Sequence, residues 1–188
     1  MGLERLTRLQ EEYSIEVETH AFFLRPDMEL GGRDRQPREG EGPNGELNEP
    51  LRTLAEEAGL TMRRSPHTPY TVPALEATEH AKQNGLEIPF HHAVYRAYWE
   101  RGEDIEQVSV LKAAAVEVGL DADKLEEALS QQTHTGTVQQ QYQEALSHGI
   151  NGIPAFTIGK YLFTGAHPYE FFKQVIDKVI EENEAEGQ

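Results

Sequence analysis

The residue types that could do chemistry in this chain are quickly counted. Cysteine is absent from the 188 residues. The chain therefore supplies no thiolate nucleophile, no disulfide and no thiolate metal site. Eight histidines remain as metal candidates. His91 and His92 are adjacent, which on a helix points them about 100° apart. Neither a His-Glu-x-x-His pattern nor a carboxylate at ligand spacing accompanies them, so they read as solvated helix histidines and no metal is expected. His148 precedes Gly149 at a helix C-terminus, where a partly charged imidazole suits the dipole. Ser14, Ser65, Ser109, Ser130 and Ser147 lie on helices or loops without a Gly-x-Ser-x-Gly elbow. Carboxylates are too numerous for any pair to stand out, and no residue is nominated as catalytic.

What remains is a binding feature, in the stretch Gly149-Ile150-Asn151-Gly152-Ile153-Pro154-Ala155-Phe156-Thr157-Ile158-Gly159. Gly149-x-x-Gly152 is not a phosphate loop, because the helix comes before it rather than after. A proline at the first residue of a strand is usually a strand-edge residue. Pro154, however, follows Gly-Ile, ends a loop and precedes an apolar strand. In that context a cis bond would turn the backbone of Ile153 outward, offering its N–H and C=O to an extended peptide as an added strand. Gly152, Ile153 and Pro154 are the candidate substrate-binding residues. Tyr95, Tyr98 and Trp99 sit at helical spacing and read as packing residues.

Several elements have to position that loop. Leu3, Leu6, Leu9 and Tyr13 mark one face of a helix over 3–13. From Ile15 to Phe23 the period changes to two, which predicts a strand with one polar face, broken by Arg25-Pro26-Asp27. Residues 27–46 are rich in Gly, Pro and charge, have no apolar period, and are expected to be a flexible connection with a turn at Gly42-Pro43-Asn44-Gly45. Only helical patterns follow over 47–148. Thr71 is the expected N-cap of a helix over 72–84, Pro89 opens the next, and Asp121 caps a short one carrying Leu125 and Leu129. Ala155 to Ile158 and Tyr161 to Thr164 read as a hairpin turned at Gly159-Lys160. Pro168 opens a helix with Phe172, Val175, Ile176, Val179 and Ile180 on one face, after which a Glu-rich tail is expected to fray. The first helix has a strand after it and none before it, so it completes no strand-helix-strand crossover.

Composition bounds the function classes. Thirty-three acidic against 17 basic side chains give a formal charge of -16, which would repel nucleic-acid phosphates rather than neutralise them. No run of about 18 apolar residues marks a membrane span. The first residues lack the charged-then-apolar pattern of a signal peptide, and Thr7 falls one position late for a myristoylation motif, leaving a cytoplasmic location as the default. The length suits one well-buried core with an insertion.

The loop and the hairpin, continued by Gly165-Ala166-His167-Pro168, resemble the cis-proline segment and final hairpin of the DsbA family, with most similarity to its FrnE-like branch of dithiol–disulfide isomerases. Phe22-Phe23-Leu24-Arg25-Pro26-Asp27-Met28 resembles that branch's strand and its exit. Pro69-Tyr70-Thr71-Val72-Pro73-Ala74-Leu75-Glu76-Ala77 resembles the helix opening its inserted subdomain. The resemblance implies an α/β, thioredoxin-like fold with a large all-helical insertion: a thioredoxin-like domain from 1–26 and 149–188, a connection over 27–46, and a helical subdomain over 47–148. It also implies a Cys-x-x-Cys pair at the start of the first helix, where the helix end lowers the thiol pKa for attack on a substrate disulfide. Met1-Gly2-Leu3-Glu4-Arg5-Leu6 matches the helix just after that pair, so the family's first strand and both cysteines are expected to be missing. In the family that strand lies between those assigned here to 15–23 and 155–158.

Three functions follow as expectations. One is a thiol–disulfide oxidoreductase or isomerase present here in a truncated or redox-inactive form. Another is a cysteine-free thioredoxin-like module that holds peptides at Ile153 and Pro154. The third is a relative of the glutathione-dependent isomerases and kappa-type transferases, whose serine at the helix start is absent here. The expected partner is a polypeptide or a small thiol or disulfide; no cofactor is expected, and the oligomeric state is not written in the sequence.

Overall fold

The structure is a computed structural model, and residues 2–186 are described. The elements in order are α1 (Gly2–Glu12), β1 (Arg33–Asp34), α2 (Leu51–Glu57), β2 (His67–Thr68), α3 (Val72–Gln83), α4 (Glu87–Trp99), α5 (Val108–Glu117), α6 (Ala122–Ser130), α7 (Thr135–Ser147), β3 (Ala155–Ile158), β4 (Tyr161–Thr164) and α8 (Tyr169–Glu186). The chain forms two compact units. One comprises Met1–Thr19 with Ala145–Gln188, and the other is His20–Glu144, inserted in chain order between those two segments.

In the first unit, the apolar stripes of α1 and α8 meet the hairpin. Leu9, Phe172 and Ile176 are buried at its centre, with Leu6, Tyr13, Ile15, Phe156, Ile158, Phe163 and Tyr169 packed around them. Leu6 and Leu9, three apart on α1, and Phe172 and Ile176, four apart on α8, fall on single faces as helical periodicity requires. β3 and β4 pair antiparallel, with Ala155 opposite Thr164 and Ile158 opposite Tyr161. Gly159 turns the hairpin at φ +55°, and a Cβ there would stand 3.0 Å from Val179 Cγ1 of α8. Polar contacts join α1 to α8 at the rim: Tyr13 donates to Asp177 at 2.8 Å and Lys173 to Glu12 at 3.0 Å. α8 runs through the Glu-rich stretch expected to fray as far as Glu186, and the end of that tail lies outside the described residues.

The second unit is helical and built on small residues. Ala74, Ala77, Ala81, Ala93, Ala97, Ala114 and Ala115 are buried around Phe90, Leu111 and Leu125. Alanines at the contacts let α3, α4 and α5 approach closely, and the few large side chains fill what is left. Asp121 caps α6 as expected, accepting from the backbone N–H of Asp123 and Lys124 at 3.1 Å. Thr71 does occupy the N-cap position of α3, but its side chain makes no capping bond.

Three stretches differ from the sequence reading, one of them the expected all-helical 47–148, which holds the short strand β2. Residues 15–23 form no strand, although their exposure alternates: Ile15, Val17 and Thr19 are half-buried while Glu16, Glu18 and His20 are exposed. Side-chain alternation is compatible with a strand, but a ladder also needs a neighbour's N–H and C=O groups in register. Side chains of α7 engage the later part instead. Ala21 N–H donates to Gln141 Oε1 at 2.7 Å, and Phe22 and Phe23 meet the Tyr142 ring edge-on at 5.2 and 4.9 Å.

The stretch 27–46, read as a flexible connection, carries β1, which pairs with β2. Polar bonds rather than apolar burial organise it. The Glu41 carboxylate takes a bidentate bond from Arg35 and a 3.0 Å bond from the Arg38 amide, and lies 3.9 Å from Arg64 Nε. Arg35 also donates to the Ser65 carbonyl at 2.7 Å. A segment without apolar periodicity hides this kind of order from a hydrophobicity reading.

Candidate functional site

The loop carrying Gly152, Ile153 and Pro154 is held at both ends. α7 stops at Gly149, whose φ of +76° favours glycine. There the N–H groups of Gly149 and Ile150 return to the carbonyls of Leu146 and Ala145, each at 3.0 Å. At the other end, the Pro154 carbonyl accepts from Gly165 N–H at 2.8 Å, fastening the loop to the exit of β4. The Ile153–Pro154 peptide is cis.

The three residues stand together on the surface. Ile153 is 51% exposed, an apolar side chain facing solvent beside an exposed proline. Its backbone N–H and carbonyl make no hydrogen bond among the described residues. A Cβ at Gly152 would meet nothing within 4 Å, so packing does not demand glycine there.

The loop faces the start of α1. A Cβ at Gly2 would lie 3.8 Å from Pro154 Cβ and 3.3 Å from Phe156 Cζ. The first residue of the helix, a glycine, thus lies close to the proline loop and to Phe156, the second residue of β3. The Phe156 ring beneath this contact meets Phe172 edge-on at 4.8 Å, tying it to the core. A helix N-terminus presents amide N–H groups and a partial positive charge. One turn further in, Arg5 has a guanidinium nitrogen buried without a hydrogen-bond partner.

Glycine, isoleucine and proline bring no acid, base or nucleophile. Their arrangement can hold a partner: free backbone groups for an extended strand, an apolar side chain beside them, and a positively polarised helix end opposite. Gly2 and Phe156 are the residues that sequence reasoning missed. Phe156 looked like an ordinary strand residue, and nothing at Gly2 signals contact with a loop so distant in the chain. Elsewhere, no group of three or more His, Asp or Glu among the described residues is arranged to hold a metal, and no helix among them is long and apolar enough to cross a membrane.

A DSBA-like thioredoxin domain matches residues 1–177. The chain belongs to the DSBA-like thioredoxin domain family. Its fold is that family's: α/β, rich in helix, with few short strands and a helical insertion. The chain is 28% identical over 130 residues to the uncharacterized protein YwbO of Bacillus subtilis (strain 168), covering 67% of this chain and 64% of that relative's length. A 2-hydroxychromene-2-carboxylate isomerase superposes with a TM-score of 0.74 at 16% identity, covering 97% of this chain and 90% of that one. A probable DsbA oxidoreductase from Streptomyces coelicolor gives a TM-score of 0.63 at 26% identity, covering 69% and 57%. A putative protein disulfide isomerase from Nitrosomonas europaea gives 0.61 at 22% identity, covering 73% and 79%. A protein described as a probable oxidoreductase, one described as a putative disulfide isomerase and a carboxylate isomerase are thus among the structural neighbours of this DSBA-like chain, which itself contains no cysteine.

Proposed function

We propose that the protein serves thiol–disulfide exchange of the DsbA type, and that these 188 residues supply the wall that holds the partner rather than the thiols. The observation that carries this reading is the close approach of Gly2 to Pro154, near enough for an added Cβ to reach the proline, which sets the start of the first helix beside the proline loop. A thiol placed at that helix start would face the loop and be acidified by the helix end. The partner is an extended polypeptide, bound through the N–H and C=O of Ile153 as one further strand, with the Ile153 side chain and the Pro154 ring as its apolar floor. Gly152 gives the loop a surface without a side chain.

The test is insulin reduction. The cysteine-free chain is inactive in that assay, and a version carrying an added Cys-x-x-Cys immediately ahead of α1 gains activity. Failure of the added pair to confer any reduction, in a folded protein, would overturn the exchange reading.

The second reading, a peptide-holding module without redox chemistry, is favoured by one observation: the free backbone groups of Ile153 occur in a chain with no cysteine at all. It predicts peptide binding that persists while the added Cys-x-x-Cys confers nothing.

A further inference from the structure

The helical unit contains a cavity of about 200 Å³, lined by Phe23, Arg25, Pro26, Met28, Tyr70, Thr71, Val72 and Gln139. A β-turn builds one side. Met28 N–H donates to the Arg25 carbonyl at 3.1 Å, with Pro26 and Asp27 between them, so both ends of the turn reach the lining. The first residues of α3 build another side, and Gln139 of α7 contributes a third. Glu106 fastens the neighbouring loops, accepting from Gly31 N–H at 2.7 Å and Tyr70 N–H at 3.3 Å.

The charges around this cavity are uneven. Arg25 has no ion pair among the described residues. It is exposed, like Arg33, Arg38 and Arg63 outside the lining, which also make no ion pair among the described residues. The arginines that share its surroundings are spoken for: Arg35 is bonded to Glu41, and Arg64 lies 3.9 Å from the same carboxylate. Burial raises the pKa of the Tyr98 hydroxyl, while the charges of Arg25, Arg35 and Arg64 all pull it the other way, so the three guanidiniums act on one neighbourhood. Only Arg25 lines the cavity. The remaining lining combines apolar surface from Phe23, Pro26, Met28 and Val72 with neutral hydrogen-bonding groups on Tyr70, Thr71 and Gln139. Two acids adjoin the lining, Asp27 by its place in the chain and Glu106 through its bond from Tyr70. Asp27 sits inside the turn and is exposed, and both oxygens of Glu106 are engaged by backbone amides.

We propose that this cavity binds a small monocarboxylate with an apolar body, its carboxylate on Arg25 and its body against Phe23, Met28 and Val72. The size is consistent: a cavity of about 150 Å³ admits benzene, so one of about 200 Å³ admits a ring or short chain carrying a carboxylate. A guanidinium offers a planar fork that matches a carboxylate better than an ammonium would. The carboxylate belongs either to a free organic acid or to the C-terminus of a peptide ending in an apolar residue. The site lies wholly within the helical unit and does not depend on the exchange chemistry assigned to the proline loop.

The experiment is calorimetric titration of the full chain with phenylacetate, its amide, and two peptides ending in phenylalanine, one with a free and one with an amidated C-terminus. Phenylacetate binds and its amide does not. Tighter binding of the free-ended peptide identifies a chain terminus as the natural ligand, and its exclusion identifies a free acid. Arg25→Gln weakens phenylacetate about tenfold or more, as expected for loss of a charge-assisted bond. Arg25→Lys restores part of the affinity, and Arg63→Gln, at an exposed arginine outside the lining, changes nothing. Circular dichroism confirms that each variant is folded. Equal binding of phenylacetate and its amide, no binding of any probe, or affinity unchanged in a folded Arg25→Gln protein would overturn the proposal.

Discussion

Gly2 and Pro154, 152 positions apart in the sequence, come close together: a Cβ on the glycine would stand 3.8 Å from that of the proline. They approach because α1 and α8 share one small core. Leu9 and Phe172 are both fully buried in it, and Phe156 of β3 packs onto the same cluster. Once α1 is fixed against α8 and β3 is fixed on Phe172, the first residue of α1 and the residue just before β3 are brought together.

That relationship makes position 2 a sensor for the site. Gly2→Cys places a thiol at the N-terminus of a helix, where thiolates are stabilised. The Phe156 ring edge, 3.3 Å from the added Cβ, has to give by a few tenths of an ångström. The thiol pKa, followed by thiolate absorbance, should fall about one unit or more below the free value of about 8.5. Ser130→Cys, exposed at the last residue of α6, is the control and should not show that depression. Equal pKa values in the two variants would count against a polarised helix start.

Phe172→Ala tests the support beneath the loop. The ring is fully buried and meets Phe156 and Phe163 at centroid distances of 4.8 and 5.3 Å. Its loss should cost about 3–5 kcal/mol in denaturant unfolding of the first unit. Because β3 loses its footing, peptide binding at Ile153 should weaken as well. A cost below about 1 kcal/mol would mean that the aromatic cluster does not carry the fold.

Acid should act on the helical unit in two windows. The bond from Arg35, helped by the Arg38 amide, holds the Glu41 carboxyl at about 2, below its ordinary value of 4.5. A depressed carboxyl pKa contributes stability that is complete above the unfolded value and is lost as pH falls from about 4.5 towards about 2. His80 behaves differently. Burial, and then the charge of His134, lowers its pKa from 6.5, with Asp121 opposing and Lys124 assisting. The unfolded chain then binds the proton more readily, so stability falls as pH drops below about 6.5. Urea midpoints measured from pH 8 to 2.5 should show both declines. Glu46, Glu49 and Asp121 of the same unit are also lowered by their hydrogen bonds, so Glu41→Gln should shrink the lower window and leave the upper, and a lower decline of undiminished size in that variant would refute the assignment.

Periodicity made most of the helices legible, because each buries a stripe against a neighbour. The hairpin was readable to the residue: Ala155–Ile158 and Tyr161–Thr164 are short apolar runs around a glycine turn. The loop carrying Gly152, Ile153 and Pro154 stands out in the sequence because it punctuates a helix and a strand. Residues 15–23 misled, since the same alternation of exposed and half-buried side chains arises in an extended segment held by Gln141 and Tyr142. The Glu41 network went unseen because charged side chains reveal their partners only in three dimensions. Gly2 was invisible for a related reason: its significance lies in what it approaches, and a glycine at a helix start has no pattern that encodes this.

In the proposed function, the exposed Ile153–Pro154 wall holds an extended peptide. Fluorescence anisotropy of a labelled, cysteine-free extended peptide titrated with the protein measures this most directly. Saturable binding is expected, weakened about tenfold or more in Ile153→Asp, where a charge replaces the apolar floor, and weakened also in Pro154→Ala. Binding of the same strength in both folded variants, or no binding to the unaltered protein, would contradict it.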